Sequence, residues 1–219
     1  MRRSYVYRYI WFFAGVIINS FGVAFITKAD LGTSPISSIP YVLSLNFPLS
    51  FGTATFVFNI LLILLQLVLL KKEFGMLQVL QLVVTLVFSA FIDISMDLLF
   101  WLEPSNIIEK LISLTIGCAI LGFGISVEVA PAALMVPGEG VVSVISSKMP
   151  NRKFGTIKIA FDVSLMLTAA ILSVILSRSI NGLGIGTIIS ALIVGKFVNT
   201  SNRYIPLIPK IASLKGQTA

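Results

Sequence analysis

The apolar positions of this chain gather into six blocks, at 9–27, 51–70, 77–102, 111–130, 157–176 and 183–198. Each is close to the roughly 20 residues that carry a helix across the hydrocarbon core of a bilayer. Two further apolar stretches, 31–48 and 132–149, are interrupted by proline and glycine and are too short and broken to span comfortably. The pattern predicts an all-α polytopic membrane protein with six transmembrane helices and two broken, re-entrant segments. The first block follows Met1-Arg2-Arg3 as the core of a signal peptide would. Its apolar run is longer than a signal core and no small-residue cleavage site follows, so it reads as an uncleaved first span.

Composition agrees. The 219 residues are 57% hydrophobic and 11% charged, against about 25% charged in a soluble domain, and the mean hydropathy is +1.01. Too little polar surface remains to cover a water-facing globule, which excludes a soluble catalytic or nucleic-acid-binding domain. The net charge of +7 is explained by loops rather than by a nucleic-acid partner. With six spans, Arg2, Arg3, Arg8, Lys71, Lys72, Lys148, Arg152, Lys153, Arg203, Lys210 and Lys215 fall on one side, and Lys28, Lys110 and Arg178 on the other. Basic residues concentrate in cytoplasmic loops, so both termini are expected in the cytoplasm and the lipid bilayer is the expected partner. No histidine and one cysteine, Cys118, leave no intrachain disulfide and no Cys/His metal site.

The two halves resemble each other at an offset of about one hundred residues. Thr33-Ser34-Pro35-Ile36-Ser37-Ser38 aligns with Met135-Val136-Pro137-Gly138-Glu139-Gly140, and Phe51-Gly52-Thr53 recurs as Phe154-Gly155-Thr156. That register sets Asn59 opposite Asp162, and Phe91-Ile92-Asp93 opposite Phe197-Val198-Asn199. Residues 1–105 and 106–219 are therefore expected to be two three-helix repeats. An odd number of spans inverts the second relative to the first, and inverted repeats with broken helices at their junction are a transporter architecture. Irregular backbone at membrane depth persists only where protein buries it or a wet cavity receives it. Ser37 or Ser38, ahead of Pro40, is the expected cap of the first half-helix. Gly138-Glu139-Gly140 is expected to open the second, at Val141. The competing reading makes both segments ordinary amphipathic loop helices at the membrane surface.

Ionisable side chains inside spans are rare and costly, and each is a functional hypothesis. Lys158 and Asp162 stand four apart on one helix face and form a neutralising pair; Asn59 puts a polar residue at the matching place in the first half. Glu139, between two glycines at a half-helix start, is the sharpest candidate. Ser37, Asn59, Glu139, Lys158 and Asp162 are the expected substrate-binding set, with Pro35, Pro137, Gly138 and Gly140 shaping the broken helices. Asp93, Asp97 and Glu128 are candidates for a proton relay. For the first two the alternative is an interface position near Trp101, and for Glu128, as for Lys196, it is snorkelling from a span end. Acids outnumber bases in the set, which favours a cationic or zwitterionic substrate or proton coupling. Gly182-Leu183-Gly184-Ile185-Gly186 opens a span and is no dinucleotide loop; Gly182 and Gly186 have the small-xxx-small spacing of close helix packing. No Walker motif, nucleophile elbow or catalytic carboxylate pair is present, so no enzyme and no cofactor is expected.

Leu31-Gly32-Thr33-Ser34-Pro35, Pro137-Gly138-Glu139-Gly140, the Lys158/Asp162 pair and Gly184-Ile185-Gly186-Thr187 together resemble the YczE/YyaS/YitT-type family of bacterial membrane proteins, over roughly residues 12–199. In that comparison Gly138 replaces a frequently basic residue, Glu139 an Asp and Lys158 an Arg. The resemblance implies the fold and a bacterial plasma-membrane location more than an activity; the family is commonly supposed to transport something. A small secondary transporter or exporter of a small molecule is the expected function. The other classes considered are a non-transporting accessory protein of a biosynthetic or secretion complex, and a substrate-binding subunit of an ATP-driven transporter. So short a chain is also compatible with a homodimer.

Overall fold

The structure is a computed structural model and describes residues 2–149, 151–152 and 154–214. Lys153 and Lys215, which enter the orientation argument, lie outside the described residues. Nine α-helices follow one another among the described residues: α1 (Arg2–Lys28), α2 (Ser38–Asn46), α3 (Phe51–Leu70), α4 (Met76–Leu98), α5 (Ile107–Val129), α6 (Pro137–Lys148), α7 (Phe154–Ser177), α8 (Ile185–Tyr204) and α9 (Leu207–Ser213). A 3-10 turn, Pro35–Ser37, leads into α2.

Five helices are long and apolar enough to cross a membrane: α1, α3, α4, α5 and α7. Their outer faces are bare hydrocarbon, as at Val68, Leu86 and Ile175, the surface expected of a protein solvated by lipid. Of the six expected spans the sixth corresponds to α8, which has 20 residues but carries Lys196, Asn199, Asn202 and Arg203 in its second half. Helix ends differ from the apolar blocks because caps, not hydropathy, set them. Asn106 accepts a hydrogen bond from the Glu109 N–H at 2.9 Å and starts α5 four residues before its apolar block. Gly182 lies before α8 with φ +77°, so it does not share a helix face with Gly186; it packs from the preceding loop against Tyr41 and Leu45 of α2.

The centre of the molecule is the antiparallel pair α1 and α5. Gly15 and Gly22 on α1 lie against the backbone of Glu128 and Leu121, and Gly117 and Gly124 on α5 lie against Ile26 and Asn19. A methyl group at Gly22 would come within 2.6 Å of the Leu121 Cα. With no hydrophobic drive between helices in lipid, such close backbone approach supplies the packing energy. Arg8 donates to the carbonyls of Pro131 and Ala132 at one end of the pair, at 2.9 and 2.7 Å, and Lys110 pairs with Asp30 at the other. Around this centre α4 packs on α1 and α8 on α5, while α2 crosses to α7 and α6 to α3. Helices α3 and α4 pack together along their length, whereas α7 and α8 have no comparable contact among the described residues. The order long, short, long, long thus occurs twice, in α1–α4 and in α5–α8.

Candidate functional site

The two short helices are too short to cross: α6, the longer, has 12 residues, or about 18 Å at 1.5 Å per residue, against a core of about 30 Å. Their starts meet inside the bundle, where Gly138 is so close to the end of the Ile36 side chain that a Cβ there would collide with it. Pro137 opens α6 in the first-turn position, where its missing N–H costs nothing; the helix therefore begins four residues earlier than Val141. Two buried glutamines hold it there. Gln66 on α3 donates to Gln81 on α4 at 2.8 Å and to the Pro137 carbonyl at 3.2 Å, and Gly140 leaves the room that this pair occupies.

On the first-half side the segment before α2 is clamped by the start of α8. Gly186 N–H donates to the Leu31 carbonyl at 2.8 Å, Thr33 N–H donates to Thr187 Oγ1 at 3.2 Å, and the Thr27 and Thr33 hydroxyls are 2.7 Å apart. Gly184 and Gly186 press so closely on Leu31 that a side chain at either would not fit, while Gly32 sits at φ +113°, a conformation that favours glycine. The first and last of the four sequence motifs are therefore one structural unit. Ser37 occupies the cap position of α2 but its side chain caps nothing, which corrects the expectation. Its hydroxyl accepts from Ser34 at 2.9 Å, and Ser38 turns back to the Pro35 carbonyl at 2.6 Å.

Between these two starts lies a cavity of about 640 Å³ bounded by α1 and α3 to α8. All five expected binding residues, Ser37, Asn59, Glu139, Lys158 and Asp162, line it, as do Pro35 and Gly138. Lys158 Nζ lies 2.9 Å from Asp162 Oδ1, with both side chains partly open to the cavity. Asn59 is 6% exposed, and among the described residues no hydrogen bond reaches its amide, so the amide is presented to the cavity unspent. Glu139, in the first turn of α6, lies within electrostatic reach of Lys158 and Asp162. It is also within electrostatic reach of Glu128.

Glu128 does not snorkel. It is 2% exposed and accepts from the Asn19 amide at 2.7 Å, because α1 and α5 approach too closely at Gly15 and Gly124 for a side chain there to reach the membrane surface. Asn19 and Glu128 are thus joined by one hydrogen bond and Lys158 and Asp162 by another, and Glu139 on α6 is within electrostatic reach of both pairs. Asp93 lies outside the cavity lining and caps α3, accepting from Gly52 N–H and from Ser50 Oγ, each at 2.6 Å. Asp97, one turn on, is exposed. Pro137 and Gly140 support the site without lining it. Asn19, Thr55 and the Gln66/Gln81 pair are site residues that hydropathy does not single out. Their only signal is a lone polar residue inside an apolar run. Among the described residues no group of three or more Cys, Asp or Glu side chains is gathered as metal ligands would be.

A polytopic, all-helical membrane protein with a largely apolar cavity that holds a cluster of polar side chains is the class these features define. The chain belongs to a family of unknown function, DUF6198, whose model matches residues 6–203. No curated protein and no solved structure is found to match it.

Proposed function

We propose that the protein is a small secondary transporter or exporter of a small molecule, with its binding site in the cavity between the two broken helices. The observation that carries this reading is the convergence of Ser37 and Asn59 from the first half, and Glu139, Lys158 and Asp162 from the second, on one cavity. In this reading α8 is the sixth span, the halves are inverted repeats, and α2 and α6 are re-entrant half-helices. Both termini face the cytoplasm of a bacterial plasma membrane. Support comes from the recurring element order, from the reciprocal crossings of α2 to α7 and α6 to α3, and from the likeness to YczE/YyaS/YitT-type proteins.

The first turn of α6, where no described residue accepts from the Gly138 and Glu139 N–H groups, and the Lys158 ammonium suit an anionic group of a ligand, and Glu139 beside the Lys158–Asp162 pair suits a cationic one. A zwitterion, or a substrate moved with a proton held on Glu139, satisfies both. In the test, single cysteines replace Ser37 or Glu139 in a Cys118→Ser background, and an impermeant maleimide is applied to each membrane face. Labelling of both, deep in the protein and slowed by a bulky thiol reagent, is the expected result. Cysteines that react at neither face would show a sealed, structural interior and defeat the proposal.

A further inference from the structure

The same tripeptide begins α3 and α7, but it meets different surroundings. At Phe51-Gly52-Thr53 the helix start is shut against α4: Asp93 accepts from the Gly52 N–H and from Ser50, and Gly52 presses on the Ser89 carbonyl so closely that a Cβ would collide. At Phe154-Gly155-Thr156 no described residue comes within 4 Å of where a Cβ on Gly155 would stand. In the register that pairs Phe91-Ile92-Asp93 with Phe197-Val198-Asn199, Ser89 corresponds to Gly195 and Asp93 to Asn199. Gly195 likewise has open space in front of it, with no described residue within 4 Å. Gly155, Lys158, Gly195, Lys196 and Asn199 all line the cavity, so the space between α7 and α8 is its mouth.

These two helix starts lie at opposite ends of the bundle. The Ser177 hydroxyl at the end of α7 donates to Asn46 at the end of α2, and Tyr41 of α2 stacks on Phe51 at the start of α3, with ring centres 5.2 Å apart. The start of α7 lies at the far end of this 24-residue helix, about 35 Å away. One end is closed by a built contact, and the other stands apart with the matching residues exposed.

We infer that the first turn of α7 and the last turns of α8 form a second gate, open in this structure. It closes by seating Gly155 on Gly195 while the Asn199 amide oxygen accepts from the Gly155 N–H, as Asp93 does for Gly52. This rests on the transport reading and adds to it the moving parts. The acceptors differ in strength. A carboxylate at a helix start gains both a charge-assisted bond and the helix dipole, whereas an amide oxygen gains neither. The Asn199 gate is therefore the weaker of the two and is the one that rests open. Glycine at 195, where the first half has serine, lets α7 approach without a side chain in the way.

The test uses the full-length protein in membrane vesicles, with Cys118→Ser throughout. The pair Thr156→Cys/Thr200→Cys spans the open gate, and Thr53→Cys/Ile94→Cys, at the matching positions, spans the closed one. A flexible bis-thiosulfonate is expected to join the second pair rapidly and the first slowly. Asn199→Asp should speed the slow reaction about fivefold, the difference between a charged and a neutral acceptor. Once the first pair is joined, a reporter cysteine at Ser37 should no longer label from the face where α7 begins. If that pair never joins, or Asn199→Asp leaves its rate unchanged, while the control pair joins and the reporter still labels, the gate is overturned. The cavity and the transport reading then stand. A reporter that never labels defeats the transport reading itself.

Discussion

The starts of α3 and α7 carry identical tripeptides and end up in opposite situations, one packed and one open. What separates them is the partner helix. Asp93 and Ser89 offer α3 a charged acceptor and a carbonyl that the bare α-carbon of Gly52 can approach. Asn199 and Gly195 offer α7 an amide and an empty surface, and neither is engaged by a described residue. A helix start in lipid must place its free N–H groups somewhere. In α3 a carboxylate receives one of them, whereas the start of α7 lines the mouth of the cavity.

That contrast is most sharply tested by filling the two glycines. Gly52→Val forces a side chain into the Ser89 backbone, which has no flexible end to move aside, and should cost about 3 kcal/mol, the upper range for overpacking. Gly155→Val enters open space and should change stability by less than about 0.5 kcal/mol. Thermal denaturation of the two purified variants in detergent compares them directly, and equal losses would erase the distinction. Next in size, Asp93→Ala removes an acceptor shared by two donors and should cost about 2 kcal/mol, since a helix start loses a charged cap. Asn199→Ala, whose side chain makes no hydrogen bond to a described residue, should be near neutral by the same measurement. The smallest effect is expected at Lys158→Met. Its pair with Asp162 is partly solvated, so stability should fall by less than about 1 kcal/mol. The reactivity of a cysteine at Glu139 should still change, because the nearest cation to that position is gone.

The apolar blocks showed where the long helices run, because a span must be apolar along its length whatever it touches. They did not show where helices begin. Asn106 starts α5 and Pro137 starts α6 through hydrogen bonds and φ preferences that hydropathy does not record. Five polar residues could be assigned to one site because a charge or amide inside a span is costly unless a partner or a wet cavity receives it. For Glu128 the sequence leaves two readings, a proton relay and snorkelling from a span end, and only the close approach of α1 and α5 removes the second by enclosing it with Asn19. The Gln66/Gln81 pair was invisible because each residue alone is an isolated amide, and the pair exists only when α3 lies on α4. The open and closed tripeptides could not be told apart at all, since their difference lies about forty residues downstream in each half, at Asp93 and Asn199.

The central claim is that the two ends of the bundle are unequal members of one alternating device. Spin labels on Thr156 and Thr200, measured by pulsed dipolar spectroscopy in lipid nanodiscs, read it directly. Two distance populations are expected, the longer one dominant, with the shorter growing when Asn199→Asp is introduced. A single distance that Asn199→Asp does not alter would contradict the account.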